Sequence, residues 1–296
     1  MNLISLATST WGPSGISFLC RLLRRDRACQ LGEALADRVH EQPETPLVQA
    51  LRENMSVVLG AEEDDPEVDR AVHRLLKNAT YGYIDLFRAM EEERGGAITY
   101  FDMDDSLDQL IELSHTRDRG LIFVGTHTCS FDLLMLALLE YFPSIQALTN
   151  SNPQGSSKVM NDLRAQYGFE ITPISSSALR KAITRLRNGG VVAIANDVPV
   201  ESGGELVFFG ERCNLPVGHA RLAQMTNAQM VVGASFQLGD GLYQAKARIV
   251  PPPMSSVNKS RKIRQWAQDA LATTEEFILQ KPDEWLMPHP LWSCTG

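Results

Sequence analysis

A histidine and an aspartate in the middle of the chain have the types and the spacing that acid–base chemistry needs. His127 follows a short apolar run, and Asp132 comes five residues later, at the start of a strongly apolar segment of helical length. A carboxylate beside a histidine can hold one ring tautomer, which leaves the other ring nitrogen free to accept a proton. The pair indicates the general-base half of a catalytic site, in which Asp132 orients His127.

The spacing between the two residues is weak evidence by itself. With six histidines and 36 acidic residues in a chain of 296, a His-x4-acid spacing arises by chance about as often as not. An acidic residue is also favoured in the first turn of any helix by the helix dipole. A histidine in a loop is commonly plain polar surface. The spacing therefore leaves the catalytic and the structural interpretation open.

The elements around these residues indicate an α/β fold. After Arg119, short apolar runs alternate with amphipathic segments, which is typical of a mixed, mainly parallel sheet flanked by helices. The predicted strands are GLIFVGT, IQAL, FEITPI, VVAIA, LVFF, MVVGASFQL and LYQAKARIV, the last two joined by Gly-Asp-Gly. Ser130 is a suitable N-cap for the next helix, so His127 is expected on a loop at the carboxyl edge of the sheet. Open α/β sheets bind their ligands at that edge.

The first part of the chain has a different pattern. Between Leu19 and about Met90, apolar residues recur at helical spacing, which predicts several helices packed together. We expect an N-terminal helical segment, 1–115, packed on an α/β core, 116–296, as one continuous domain. Acidic runs such as EEDDPEVD are interpreted as solvated surface.

Charge and hydropathy exclude several classes of protein. The 28 basic and 36 acidic residues give a net charge of −8, which opposes binding to nucleic acid and unassisted binding to an anionic membrane. No apolar run reaches the 18 or so residues of a membrane span. The N-terminus places its positive charges after its apolar stretch, which is the wrong order for a secretory signal. We expect a cytoplasmic protein with at most a peripheral contact, through its N-terminal segment, at the inner face of the membrane.

The cysteines do not form a recognisable pattern. Five of them are scattered along the chain with no C-x-x-C pair: Cys20, Cys29, Cys129, Cys213 and Cys294. Neither a disulfide framework nor a zinc site is indicated, so reduced thiols are expected. We expect no metal and no cofactor.

Beyond the His-x4-Asp spacing, five segments in order resemble the lysophospholipid acyltransferase superfamily, specifically the branch of the late lipid A acyltransferases. The resemblance runs from about residue 50 to 292. The segments are RGLIFVGTHTCSFDL, SNPQGSSKVMNDLRAQYG, LRNGGVVAIANDVPV, LVFFGERCNLPVGHARLAQMTNAQMVV and KPDEWLMPHPLW. They resemble, in turn, that family's His-x4-acid turn, its Asn-Pro segment with an Arg-x-x-x-Gly helix end, its strand with a terminal Asp, its Phe-Phe-Gly segment, and its aromatic tail.

The resemblance implies acyl transfer from a thioester of acyl carrier protein or coenzyme A to a hydroxyl or amine. His127 is then the general base and Asp132 its orienting partner. Arg164, the arginine of the Arg-x-x-x-Gly helix end, is the candidate for stabilising the tetrahedral oxyanion. Asp197, the terminal Asp of the strand, is expected to hold Arg164 in place.

The same resemblance suggests residues that contact substrate. They are Asn152 of the Asn-Pro segment, Phe131 within the His-x4-Asp motif, and Phe208 and Phe209, which could line an acyl channel. Paired phenylalanines at a strand end are also common in ordinary cores.

Departures from the family pattern bear on the acceptor. We expect no N-terminal membrane helix of the kind usual in the family. The chain reads Ala147-Leu148-Thr149 where a Tyr-Arg-Pro is usual, and its tail reads His289-Pro290-Leu291 where two arginines are usual. Arginines are the usual clamps for phosphate, so their loss weakens the case for a phosphorylated glycolipid. The acceptor is expected to be a lipid or a small molecule.

Two other interpretations stay open from the sequence. Cys129 lies two residues from His127 and could act as a nucleophile in a thioesterase or an acyl-enzyme transferase. The chain could also be a non-catalytic lipid-binding protein on the acyltransferase fold.

Overall fold

The computed structural model describes residues 23–92, 96–102, 105–116, 118–142, 144–200, 203–254 and 258–292. Within these residues the helices are α1 Arg25–His40, α2 Pro46–Leu59, α3 Pro66–Ala89, α4 Asp105–Thr116, α5 Phe131–Leu138, α6 Gly155–Gln166, α7 Ser176–Arg187, α8 Gly218–Thr226 and α9 Lys259–Gln280. The strands are β1 Phe101–Asp102, β2 Leu121–Gly125, β3 Ile145–Thr149, β4 Glu170–Pro173, β5 Val191–Ala195, β6 Gly204–Phe208, β7 Glu211–Leu215, β8 Gln229–Gly239 and β9 Leu242–Ile249.

Seven strands form one mixed sheet in the order β1-β9-β8-β2-β5-β3-β4. All neighbouring pairs are parallel except β8 and β9, which form the antiparallel hairpin predicted around Gly-Asp-Gly. Strand β2 lies at the centre between β8 and β5, and its residues pair in register with β5 from Leu121↔Val191 to Gly125↔Ala195. The mixed, mainly parallel α/β sheet expected from the sequence is confirmed.

The central strand is buried on both faces, as its unbroken apolar sequence predicts. Ile122 and Val124 face a core shared with α7, α8 and α9, whereas Leu121 and Phe123 face a core shared with α5. The even-numbered and odd-numbered side chains alternate because successive residues of a strand point to opposite faces. This double burial fixes the position of the loop that follows β2.

One strand prediction differs from the structure. The LVFF run belongs to β6, which pairs with β7 in a separate antiparallel hairpin and does not join the main sheet. Strand β7, whose sequence ERCNL is mostly polar, was not predicted. The hairpin turns at Phe209 and Gly210, which have positive φ angles of 51° and 80°. Glycine adopts this conformation without strain, whereas a phenylalanine rarely does.

The N-terminal helices α1, α2 and α3 form their own small core and pack against the α/β part. Helix α2 begins at a proline, Pro46, and ends before Gly60, which has a left-handed conformation. Asp65 caps α3 by accepting the Glu67 N–H at 2.7 Å. Two residues of the predicted 1–115 segment, Phe101 and Asp102, pair with β9 in the main sheet. The division at residue 115 stays a prediction.

A buried ionic cluster joins this helical part to the sheet. Asp85 of α3 is fully buried and accepts two hydrogen bonds from Arg25 of α1, at 2.7 and 2.8 Å, and one from the Tyr243 hydroxyl of β9 at 2.7 Å. A buried carboxylate satisfied by three donors is costly to break, because removing a partner leaves an unpaired charge. The cluster therefore fixes α1 and α3 against the sheet.

In the part of the chain that the structure describes, no helix is both long and apolar enough to cross a membrane. A peripheral membrane contact through the N-terminal segment stays a prediction, and residues 1–22 of that segment lie outside the described residues. Cys29, Cys129 and Cys213 are free thiols, whereas Cys20 and Cys294 lie outside the described residues.

Candidate active site

The loop from β2 to α5 carries the predicted base at the carboxyl edge of the sheet. Gly125 ends β2 beneath the Phe131 ring, where a Cβ would overlap the ring, so the close turn depends on glycine. Thr126 then donates its N–H to the Gly233 carbonyl at 3.1 Å, which ties the loop to β8. His127 follows, with its ring 6.2 Å from that of Phe131 between centroids.

Asp197 is the carboxylate that contacts the histidine. His127 Nδ1 lies 2.6 Å from Asp197 Oδ1, and the His127 backbone N–H donates to Asp197 Oδ2 at 2.9 Å. This pairing differs from the expected one, in which Asp132 orients His127. The reason is the register of β2 with β5: Gly125 pairs with Ala195, so the residues two further along face each other.

Charge and burial act on this pair in opposite directions. Burial favours the neutral imidazole, but the charge of Asp197 and the hydrogen bond to it outweigh burial and raise the pKa of His127. Burial likewise favours protonation of Asp197, yet the charge and hydrogen bonds of His127 hold its pKa below the usual value. Asp197 is fully buried, whereas 37% of the His127 side chain is exposed. Among the described residues Nε2 has no hydrogen-bond partner, so Nδ1 is the ring nitrogen that the carboxylate holds.

Asp132 pairs instead with Arg164. The arginine of α6 donates from Nε and Nη2 to the two oxygens of Asp132 in α5, at 2.7 and 2.8 Å. Its Nη1 donates to Asn161 Oδ1 at 3.1 Å. The charge of Asp132 outweighs the effect of burial and raises the pKa of Arg164. The expected Arg164–Asp197 contact is therefore replaced by a bidentate ion pair that joins helices α5 and α6.

Ser130 precedes α5 as predicted, but its side chain does not cap the helix. Its hydroxyl donates to the Ser235 hydroxyl of β8 at 2.9 Å. Thr128 lies near the same serine, with its hydroxyl 3.5 Å from Ser235 Oγ. These contacts fix the loop to the neighbouring strand, because buried hydroxyls need partners and the strand supplies them.

The Cys129 thiol faces helix α3 of the N-terminal part. Its sulfur is 3.9 Å from the Leu75 carbonyl of α3, and burial raises its pKa well above the usual value. A thiol held in the protonated form is a poor nucleophile. The environment of Cys129 therefore disfavours an acyl-enzyme mechanism.

The C-terminal tail completes the site. The Trp285 indole donates to Asp197 Oδ2 at 3.0 Å. The Cys129 N–H donates to the Glu284 carbonyl and the Leu286 N–H to the His127 carbonyl, each at 2.8 Å. Sequence reasoning noted the aromatic tail but gave Trp285 no role. Its local signal, one tryptophan after Pro-Asp-Glu, cannot show that the indole reaches a strand end 88 residues earlier.

The predicted substrate-binding residues differ in placement. Phe131 is partly buried beside His127, and Asn152 is exposed on the loop after β3. Phe208 is fully buried and packs against the rings of Phe209, Trp285 and Trp292, so it is a core residue. Phe209 is partly buried at the rim of this cluster. Substrate contact by Phe131, Asn152, Phe208 and Phe209 stays a prediction.

Comparison with known proteins identifies the family of the chain. A family model described as bacterial lipid A biosynthesis acyltransferase matches residues 5–293. The chain belongs to this family. A phosphatidylinositol mannoside acyltransferase of Mycolicibacterium smegmatis is 26% identical over 252 residues, covering 82% of this chain and 78% of that protein. One of the same description from Mycobacterium tuberculosis is 25% identical over 178 residues, covering 58% of this chain and 54% of that protein.

As a member of the lipid A biosynthesis acyltransferase family, the protein is an acyltransferase. The resemblance inferred from five short segments is confirmed. Within the described parts of the chain, no cluster of three or more histidine, cysteine, aspartate or glutamate side chains could hold a metal ion.

Proposed function

We propose that this acyltransferase moves a fatty acyl group from a thioester to a hydroxyl of a lipid acceptor, with His127 as general base and Asp197 as its orienting partner. The observation that carries the proposal is the 2.6 Å contact of Nδ1 with a fully buried carboxylate. This hydrogen bond occupies Nδ1, so Nε2 of the partly exposed ring is the nitrogen proposed to accept the proton of the acceptor hydroxyl. General-base assistance of this kind contributes roughly 10²- to 10⁴-fold.

The reaction needs no covalent enzyme intermediate. Nε2 of His127 removes the acceptor hydroxyl proton as the oxygen attacks the thioester carbonyl carbon. The carbonyl becomes a tetrahedral oxyanion, and its collapse breaks the carbon–sulfur bond. The departing thiolate takes the proton back from the imidazolium, so the products are an ester and a free thiol. Asp197 stabilises the imidazolium between these two steps and stays ionised.

Arg164 is the proposed donor to the oxyanion. Three of its five N–H groups are occupied by Asp132 and Asn161, and the other two have no partner among the described residues. Asp132 therefore acts as the positioning residue for this arginine, the role that the sequence assigned to Asp197. A fixed donor at the oxyanion is often worth more than the base itself.

The acceptor is proposed to be a glycolipid hydroxyl. Support comes from the relatives, which are described as phosphatidylinositol mannoside acyltransferases. The chain has no arginine at two places where the family usually has one. Leu148 is buried there and His289 is exposed, so neither residue offers a fixed clamp for a phosphate group. Recognition is thus expected to rest on the sugar. Acyl carrier protein and coenzyme A are both proposed as donor carriers.

The test is intact-mass detection of acylated product from phosphatidylinositol mannoside or a lipid A precursor, with acyl-CoA or acyl-carrier-protein thioester as donor. Wild-type protein should form product, and His127→Ala should reduce the rate by at least 10²-fold while keeping the fold. His115→Ala, at an exposed position on α4, is the matched control. Activity of His127→Ala within tenfold of wild type contradicts the base assignment. Binding of acyl chains without any thioester turnover would indicate a lipid-binding protein.

Cys129→Ala separates the direct mechanism from a thiol mechanism. Direct transfer keeps most of the activity in this variant, because the thiol lies 3.9 Å from the Leu75 carbonyl and packs against the core of the N-terminal helices. Loss of nearly all activity would revive the acyl-enzyme interpretation.

A further inference from the structure

We propose that residues 284–286 of the C-terminal tail position the His127–Asp197 pair, with the Trp285 indole as the group that orients the carboxylate. This inference rests on the proposed function of His127. Trp285 is a positioning residue in this proposal, since it acts on substrate only through Asp197.

The hydrogen bonds at Asp197 give the first argument. Its Oδ1 contacts the His127 ring, and its Oδ2 accepts the His127 N–H at 2.9 Å and the Trp285 indole N–H at 3.0 Å. Two of these three partners belong to His127 itself. Trp285 is therefore the contact that fixes the plane of this buried carboxylate relative to the rest of the protein.

The same tail segment holds the backbone of the base. The Leu286 N–H donates to the His127 carbonyl and the Cys129 N–H to the Glu284 carbonyl, on either side of an antiparallel bridge between Thr128 and Trp285. Buried backbone groups in a loop need such partners. One segment thus contacts both members of the pair, so their relative geometry depends on it.

Side chains on both sides of the tail keep it in place. The Trp285 ring is 1% exposed and lies 5.8, 6.1 and 6.5 Å from the rings of Phe208, Phe209 and Trp292. The Glu284 carboxylate accepts the Gln237 N–H of β8, at 2.9 and 3.0 Å from its two oxygens. The tail is therefore anchored to the sheet and to the hairpin β6–β7.

The N-terminal helices supply further anchors. Asn54 of α2 donates to the carbonyls of Met287 and His289, at 2.9 and 2.8 Å, and accepts the Leu291 N–H at 3.1 Å. Asn78 of α3 donates to the Asp283 carbonyl at 2.9 Å. Helices α2 and α3 thus support the base through the tail.

Losing the indole N–H has a distinctive chemical consequence. The charge of Asp197 is shared between the indole and the imidazole, so a ring without the N–H leaves more of it acting on His127. Trp285→Phe should then lower kcat roughly 10- to 100-fold, which is the effect of one hydrogen bond to a charged group. The acid limb of the pH profile, meaning the fall of kcat at low pH, should move to higher pH. The KM for the thioester donor should stay within about twofold of the wild-type value.

Trp292→Phe is the matched control. Trp292 packs in the same aromatic cluster, but the indole that bonds Asp197 belongs to Trp285. The control should keep kcat within about twofold and leave the acid limb unmoved. Equal losses in the two variants with no shift of the limb would show that Trp285 only fills space, and would overturn the proposal. His127→Ala measured in parallel separates this failure from failure of the base assignment.

A measurement on wild-type protein avoids dependence on how Trp285→Phe folds. In protein labelled with ¹⁵N-tryptophan, the indole N–H resonance of Trp285 should shift with pH at the midpoint of the acid limb, because it hydrogen-bonds to the same carboxylate as His127. Trp292→Phe removes a different resonance and so helps to assign it. A Trp285 resonance that stays constant through this pH range would overturn the proposal independently of any activity.

Discussion

His127 and Asp197 each lie two residues beyond Gly125 and Ala195, which are register partners on the adjacent parallel strands β2 and β5. The two side chains meet because parallel strands in register place equivalent positions side by side at the carboxyl edge. Asp132, in the first turn of the following helix, contacts Arg164 of α6. The register of two strands therefore decides which acid serves the base.

Asp197→Asn should move the pH dependence of turnover in a defined direction. The base must be neutral, and the pKa of His127 is raised by the charge of Asp197, so wild-type activity falls as the pH drops through a value above about 6.5. Without that charge burial dominates, so the acid limb shifts to lower pH. Turnover at its plateau should drop roughly 10²- to 10⁴-fold. Asp162→Asn, at an exposed position on α6, should change neither. A limb at unchanged pH contradicts the pairing.

Arg164 and Asp132 should behave as one unit in a double-mutant cycle on turnover. Arg164→Ala should lower kcat roughly 10²- to 10³-fold with little change in donor KM, if its remaining N–H groups serve the oxyanion. Because Asp132 fixes the guanidinium in a bidentate pair, adding Asp132→Asn should cost little more. Lysine at 164 should restore little, since it lacks the planar fork.

The complementary cycle provides the control. Arg164→Ala and Asp197→Asn should multiply their effects, because the two residues contact different partners, Asp132 and His127 respectively. Strong coupling between Arg164 and Asp197 would restore the pairing first expected from the sequence.

Gly82→Ala should damage the site from a distance. Gly82 lies in α3, and a Cβ there would overlap the carbonyl oxygen of Cys129 in the loop that carries the base. We expect a loss of about 1–3 kcal/mol in the free energy of unfolding, despite the better helix propensity of alanine. Gly218→Ala, in α8 with open space around its Cβ position, should stay within about 1 kcal/mol of wild type. Urea denaturation measures both, and equal stability of the two variants would contradict this close approach.

Glu284→Gln should change how stability depends on pH. Burial raises the pKa of Glu284 to about 7 in the folded protein, from 4.5. Between these values the folded state binds a proton that the unfolded state has lost, so this group stabilises the fold below about pH 4.5, and its contribution is lost as the pH rises to about 7. The loss is on the order of 3 kcal/mol. Glutamine does not titrate, so Glu284→Gln should remove this contribution to the pH dependence of stability.

Thermal or urea unfolding at pH 5 and pH 8 gives the comparison. The wild-type protein should lose more stability than Glu284→Gln between the two values. Glu211→Gln, which changes an exposed glutamate on β7, should retain the wild-type pH dependence. Parallel curves for wild type and Glu284→Gln would mean that Glu284 does not titrate in this window.

The sequence by itself determined the α/β class, six of the seven strands of the main sheet, all but the two-residue β1, and the position of His127 on the loop after β2. These follow from local patterns: a strand buried on both faces is uniformly apolar, and the turn residues and helix starts around it are short-range signals. The sequence also identified Asp132, Arg164 and Asp197 through their resemblance to a family. It missed β7, because a hairpin whose strands are half exposed has little apolar periodicity.

Tertiary structure alone decided which of these residues touch. Contacts between His127 and Asp197, 70 positions apart, and between Asp132 and Arg164, 32 apart, depend on strand order and helix packing, which local patterns do not encode. The same holds for Trp285, which reaches Asp197 only because the tail pairs with the β2–α5 loop. Side-chain partners across a sheet edge are set by strand register, because a one-residue change in register moves every side chain of a strand to the other face.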